Sequence, residues 1–181
     1  MIQIINNTDS VLAWFQQEDY LELLGNGVNK RVLESGGIHY LLEELGYGEY
    51  EISYRETGQP YLKEKPGSFL SVSHAKGWFA VMVGTQPVGV DIQPYSPRLI
   101  QGQDYFRNER ETAFSEDESA LHLIWGAKEA FYKMKEGQIP DLKEEVSITE
   151  IGGEQLLITY QETAHELKFR VIGDVYLVFT T

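Results

Sequence analysis

Cysteine is absent from the 181-residue chain, which removes disulfides, zinc-thiolate centres and cysteine nucleophiles from consideration and suits a reducing compartment. Long apolar runs are missing too: nowhere do roughly 18 consecutive apolar residues occur. The opening MIQIINNTDS has no basic stretch leading into an apolar one. An untargeted cytoplasmic protein with no membrane span is therefore expected. Positive charge is scarce, with Lys+Arg 15 against Asp+Glu 28 and a net charge of -13. That balance argues against nucleic acid as the main partner, because phosphate backbones need a basic footprint. A serine-hydrolase reading lacks its G-x-S-x-G elbow. The histidines, His39, His74, His122 and His165, are widely spaced and have no cysteine companions, so zinc has little support. Neither an internal repeat nor a Pro/Gly/Ser linker divides the chain.

What is present describes a folded protein. A hydrophobic fraction of 42% and an aromatic fraction of 12% are enough for a core in one ordinary domain or two small half-domains. Met1 to Ile5 reads as a short strand. Asp9 is placed to cap a helix reaching about Leu24, and a second helix runs from about Asn29 to Leu45, stopped by Gly46. From Tyr50 the pattern turns to β-type runs: YEISYRE, the turn TGQP, SFLSVS, WFAVMV and PVGVDI. A helix from about Glu118 to Glu136 follows and ends at Gly137. The tail VSITEI, GG, EQLLITYQE, HELKFRVI, GD, VYLVFT then reads as antiparallel strands joined by tight turns. Helix then strands, twice over, predicts an α+β fold built as two similar halves, residues 1–86 and 87–181.

Two segments carry candidate chemistry. In PVGVDIQ, alternation puts Val88, Val90 and Ile92 on one face and Gly89, Asp91 and Gln93 on the other. An ordinary strand with a solvated Asp fits that pattern, but Gly89 beside Asp91 signals close approach by a ligand or another backbone. In ESALHLIWGAKEAFYKMKEG, the residues Ala120, Ile124, Ala127, Phe131 and Met134 form a core stripe. Trp125, Glu129, Tyr132 and Lys133 share the roughly opposite side, an aromatic content that a purely water-facing surface seldom shows. Taken alone, Glu129 and Lys133 are also what a solvated i, i+4 pair would supply.

In order, TGQPYL, SFLSVSHAKGWFAV, PVGVDIQ and WGAKEAFYK resemble the pattern GKP, FNxSHS, vGvDiE, WxxKEAyxK of the surfactin-type phosphopantetheinyl transferases. The resemblance covers about Thr57 to Lys133. It implies a pseudo-dimer of two α+β halves, with coenzyme A and Mg²⁺ in the cleft between them and an apo acyl or peptidyl carrier protein as acceptor. It further implies that Asp91, Glu129 and Gln93 are the metal-site residues, with Glu129 also the general base, and that Lys133 stabilises the transferring phosphoryl group. Lys128 is implied at the same site. Ser73 and His74 match the pair that contacts coenzyme A phosphates, and Lys30 and Arg31 lie where the family keeps basic residues for the nucleotide 3′-phosphate. A cytoplasmic monomer is expected. Because coenzyme A and carrier proteins are anionic, basic groups must be gathered locally against an acidic whole. Two departures bear on function: Gln93 stands where the family has Glu, and Gln59 replaces the lysine of GKP. Both favour the rival reading, a relative that binds coenzyme A or a carrier protein without transferring the arm.

Overall fold

The computed structural model describes residues 1–181, the whole chain, as a mixed α and β protein. Strands β1 (Gln3–Asn6) and β2 (Ser10–Gln16) open the chain, followed by the short helix α1 (Tyr20–Gly25) and the long helix α2 (Lys30–Glu44). The hairpin β3 (Ile52–Tyr54) and β4 (Pro60–Leu62) stands apart as a two-stranded ribbon. Strands β5 (Phe69–Ala75) and β6 (Trp78–Gly84) complete an antiparallel sheet of order β1-β2-β6-β5.

Next come β7 (Val90–Pro94), the short helix α3 (Pro97–Gln101), the long helix α4 (Glu118–Met134) and the single turn α5 (Leu142–Glu145). Strands β8 (Val146–Gly152), β9 (Gln155–Tyr160), β10 (Thr163–Ile172) and β11 (Val175–Thr180) close a second sheet of order β7-β11-β10-β9-β8. Tight turns set the register. Lys76 (φ 49°) and Gly77 (φ 87°) link β5 to β6 as a two-residue loop with both residues left-handed, the type I′ geometry that matches strand twist.

Helix α2 forms as its caps predict: the Asn29 side chain accepts the Arg31 amide at 2.9 Å, and Gly46 ends it in the left-handed region. Asp117 caps α4 in the same way, accepting the Ala120 amide at 3.0 Å. The helix expected from Asp9 to Leu24 is a correction, since Ser10–Gln16 is β2 and only Tyr20–Gly25 is helical. The cause is burial on both faces. Leu12 and Trp14 pack to one side of the sheet while Ala13 packs to the other, so VLAWF shows neither clean alternation nor a polar helical face.

Three apolar clusters stack through the molecule. Ile38, Leu41 and Leu42 of α2 cover one face of the first sheet through Phe79, Val81 and Val83. The other face of that sheet, with Leu12, Trp14, Ala80 and Met82, packs on Val90, Ile92, Leu177 and Phe179 of the second sheet. Ile124, Ala127 and Phe131 of α4, the stripe expected from periodicity, cover the far face of the second sheet over Ile148, Ile158 and Val178. Ala120 is buried, and Met134 packs against the same cluster. No helix is long and apolar enough to cross a membrane.

Candidate active site

Strand β7 and helix α4 approach closely enough that a side chain at position 89 has no room. A Cβ on Gly89 would fall 1.8 Å from the Ala130 carbonyl oxygen. The close approach that Gly89 signals is therefore made by the α4 backbone. This contact brings the next strand residue on that face, Asp91, under the helix, where Gly126 also lacks a side chain. A Cβ there would lie 2.9 Å from Val178 Cγ2 and 3.8 Å from Asp91 Oδ2.

Lys133 closes the arrangement from one end. Its ammonium donates to Asp91 Oδ1 at 2.9 Å and to the Val90 carbonyl at 3.0 Å. The partner of Lys133 is thus Asp91 across the fold, whereas the spacing alone had suggested Glu129 on its own helix. Glu129 is half-buried beside the pair. Burial pushes its carboxyl above the ordinary value of 4.5, the Asp91 charge pushes it further, and Lys133 partly offsets both. Gln93, two residues along β7, donates through Nε2 to the His122 carbonyl of α4 at 3.2 Å, which holds its carboxamide against the helix and leaves its oxygen as an acceptor. Ser73 of β5 donates to Asp91 Oδ1 at 2.9 Å. Asp91, Lys133 and Ser73 are therefore joined from three elements, with Glu129 near the Asp91 charge and Gln93 tied to α4 at His122.

Lys30 and His74 gather elsewhere, around a residue that sequence reasoning missed. Glu34 of α2 receives Lys30 at 3.3 Å, His74 Nδ1 at 3.2 Å and the Tyr20 hydroxyl at 3.4 Å. Ser73 and His74, as neighbours in an extended strand, point to opposite sides of β5. Arg31 is exposed at the start of α2. No motif marks Glu34; its only signal was the i, i+4 spacing from Lys30.

Lys128 needs a correction of place. Its ammonium is fully buried on the other side of α4, 3.0 Å from the equally buried Glu111 and bonded to the Phe106 and Lys143 carbonyls at 2.8 and 3.0 Å. One residue along a helix is about 100° of rotation, so Lys128 cannot face the side that Glu129 faces. Burial pulls its ammonium down while Glu111 opposes that shift, which marks a structural ion pair. Trp125, too, meets protein, with its ring 5.4 Å from that of Phe106.

Beside Lys133 a cavity of about 220 Å³ opens between the β3-β4 hairpin, β5 and the end of α4, lined by Tyr54, Gln59, Ser71, Tyr132 and Lys133 among others. Gln59 Oε1 is buried there without a hydrogen-bond partner, an acceptor that a bound donor would satisfy.

Two carboxylates, one carboxamide oxygen and a lysine at the seam of an α+β fold suit a hard divalent cation and an anionic oxygen-rich substrate. No protein-family model matches the chain. Among curated proteins it is similar to "4'-phosphopantetheinyl transferase Sfp" of Bacillus subtilis (strain 168), 26% identical over 98 residues, 51% of this chain and 44% of that protein. The "4'-phosphopantetheinyl transferase ffp" of Bacillus subtilis matches at 26% over 98 residues with the same coverage. A third 4'-phosphopantetheinyl transferase of Bacillus subtilis matches at 27% over 86 residues, 44% of this chain and 38% of that protein. The chain thus spans less than half the length of these relatives. Motifs and relatives point to one superfamily, the 4′-phosphopantetheinyl transferases, to which this chain is similar.

Proposed function

We propose that this chain transfers 4′-phosphopantetheine from coenzyme A to a serine of an apo acyl or peptidyl carrier protein, releasing adenosine 3′,5′-bisphosphate. The observation that carries the reading is the convergence of Asp91 from β7 with Glu129 and Lys133 from α4, tied by the 2.9 Å contact between Lys133 and Asp91. The two sheets, each backed by one long helix, support the reading of two α+β halves with the site at their seam.

The donor set fits Mg²⁺, which takes oxygen ligands, keeps several waters and usually accepts one or two carboxylates beside substrate phosphates. Asp91 and Glu129 would hold it, and Gln93 would offer its carbonyl oxygen. When bound there, the ion supplies charge neutralisation at the pyrophosphate. Lys133 adds a second positive charge beside Asp91, where it opposes the negative charge that builds on the transferring phosphoryl group. Glu129, half-buried beside Asp91, accepts the proton of the carrier serine directly or through one water. The serine oxygen then bonds to the β-phosphorus as the bond from that phosphorus to the bridging oxygen breaks, and adenosine 3′,5′-bisphosphate leaves. Lys30 and Arg31 supply local positive charge on an acidic protein for the nucleotide phosphates, with His74 beside Lys30 at Glu34, and Gln59 lines the cavity beside Lys133.

The test is incubation with coenzyme A, Mg²⁺ and apo carrier proteins, followed by mass spectrometry of the carrier. The expected result is a phosphopantetheine adduct that disappears in Asp91→Ala and Glu129→Ala. Coenzyme A binding with no adduct on any carrier would replace the transferase with a binding protein.

A further inference from the structure

The edge of β7 that faces away from β11 meets no backbone ladder. Its amides instead meet two serine hydroxyls from the first sheet: the Val90 amide donates to Ser71 Oγ at 3.0 Å, and the Ile92 amide donates to Ser73 Oγ at 3.1 Å. Both serines are buried, at 2% and 8% exposure, so each hydroxyl satisfies an amide that water does not reach. The serines differ in one respect. Ser73 also uses its proton, donating to Asp91 Oδ1 at 2.9 Å, whereas Ser71 makes no contact with that carboxylate.

The Asp91 carboxylate is therefore pinned from two sides: Lys133 approaches Oδ1 from α4, and Ser73 approaches the same oxygen from the first sheet. Both side-chain donors fall on Oδ1, which leaves Oδ2, beside Gly126, as the oxygen open to a cation. Two donors on one carboxylate oxygen fix its rotation and select which oxygen remains for a metal. We infer that Ser73 is a positioning residue for Asp91, setting the divalent-cation affinity of the site from the opposite sheet. This rests on the reading that Asp91 and Glu129 hold a divalent cation. It gives the Ser73 hydroxyl a role that does not require contact with coenzyme A.

Ser71 supplies the control, because it has the same amide-capping duty and lacks the carboxylate. Mn²⁺ binding to the intact protein, without coenzyme A or carrier, is measured by isothermal titration for the wild type, Ser71→Ala and Ser73→Ala. Thermal unfolding is followed in parallel. Each variant loses one buried acceptor and Ser73→Ala also loses its bond to Asp91, so both should lower Tm by a few degrees, Ser73→Ala the more. Only Ser73→Ala should weaken Mn²⁺ binding, by about 10-fold or more, with Ser71→Ala staying within about two-fold of the wild type. Ser73→Cys keeps the volume with a weaker donor, and it carries the same comparison if Ser73→Ala lowers stability too far. Equal weakening by Ser71→Ala and Ser73→Ala would overturn the positioning role and leave the metal site standing. A wild type that does not bind Mn²⁺ would overturn the metal site and this inference with it.

Discussion

At the scale of single residues, the site is held under electrostatic tension. Glu129 sits half-buried near the Asp91 charge, and Lys133, which relieves both, bonds to Asp91 and the Val90 carbonyl and not to Glu129. The Glu129 carboxyl binds its proton more tightly folded than unfolded. Its contribution to stability is therefore complete below the ordinary value of 4.5 and is lost as pH rises through the raised folded value. At neutral pH without a divalent cation, the Glu129 carboxyl is therefore a cost. Glu129→Gln should consequently be more stable than the wild type at neutral pH, with a higher urea midpoint, and the gap should close as pH approaches 4.5. Urea titrations of both proteins at several pH values between these limits check this; a gap that is constant with pH would show that the carboxyl does not titrate in that environment. Adding Mg²⁺ should narrow the gap by stabilising only the wild type.

Residue by residue, the sequence was most readable where chemistry and periodicity coincide. Asp91 and Lys133 stood out because alternation in PVGVDIQ and helical spacing in WGAKEAFYK each put a polar group on a definite face. Partners separated along the chain were not readable. Nothing near Lys128 announces Glu111, which lies in the 3-10 segment Glu109–Phe114, and nothing near Asp91 announces Ser73, which reaches it from another sheet. Such pairings are set by tertiary packing, and no local spacing encodes them.

At the scale of elements, legibility followed burial. The tail strands, the helices α2 and α4 and the Gly46 stop of α2 obey local rules and are legible in the sequence, whereas the turn at Lys76–Gly77 and the Asp117 cap of α4 come from the structure. Strand β2, buried on both faces between β1 and β6, obeys no simple period and read as a helix. The contact of β7 with α4 was visible only as a glycine whose neighbour could not be named. That contact now makes a sharp prediction. In Gly89→Ala the new methyl would fall 1.8 Å from the Ala130 carbonyl oxygen and 3.0 Å from the Met134 amide nitrogen, both backbone atoms that cannot turn aside. Helix and strand must separate, at a cost of about 3 kcal/mol or more. The expected outcome is a Tm lower by roughly 6 °C or more, accompanied by a loss of activity out of proportion to that of an equally destabilising change elsewhere. Gly25→Ala serves as the neutral control for Tm, because nothing lies within 4 Å of a Cβ there. A Gly89→Ala protein with unchanged Tm would contradict the packing of α4 on β7.

At the scale of the whole molecule, the two sheets should behave as one unit of stability. The two sheets share an apolar cluster in which Leu12, Trp14, Ala80 and Met82 of the first face Val90, Ile92, Leu177 and Phe179 of the second, all of them buried. Separating the sheets would expose these side chains to water, and each carries about 1.5–3 kcal/mol of burial free energy for the larger members. It would also strip the Val90 and Ile92 amides of their serine acceptors. Neither sheet should therefore persist once the other unfolds, and unfolding should be a single cooperative transition. The three tryptophans permit a direct check, since Trp14 belongs to the first sheet and Trp125 to α4. Variants retaining only Trp14 or only Trp125 report from opposite ends of the stack, and their urea transitions should coincide with the far-UV circular dichroism of the same variant. Distinct midpoints within one variant would mean that the second sheet survives without the first. In that case the Asp91 site would not depend on the serine junction for its shape.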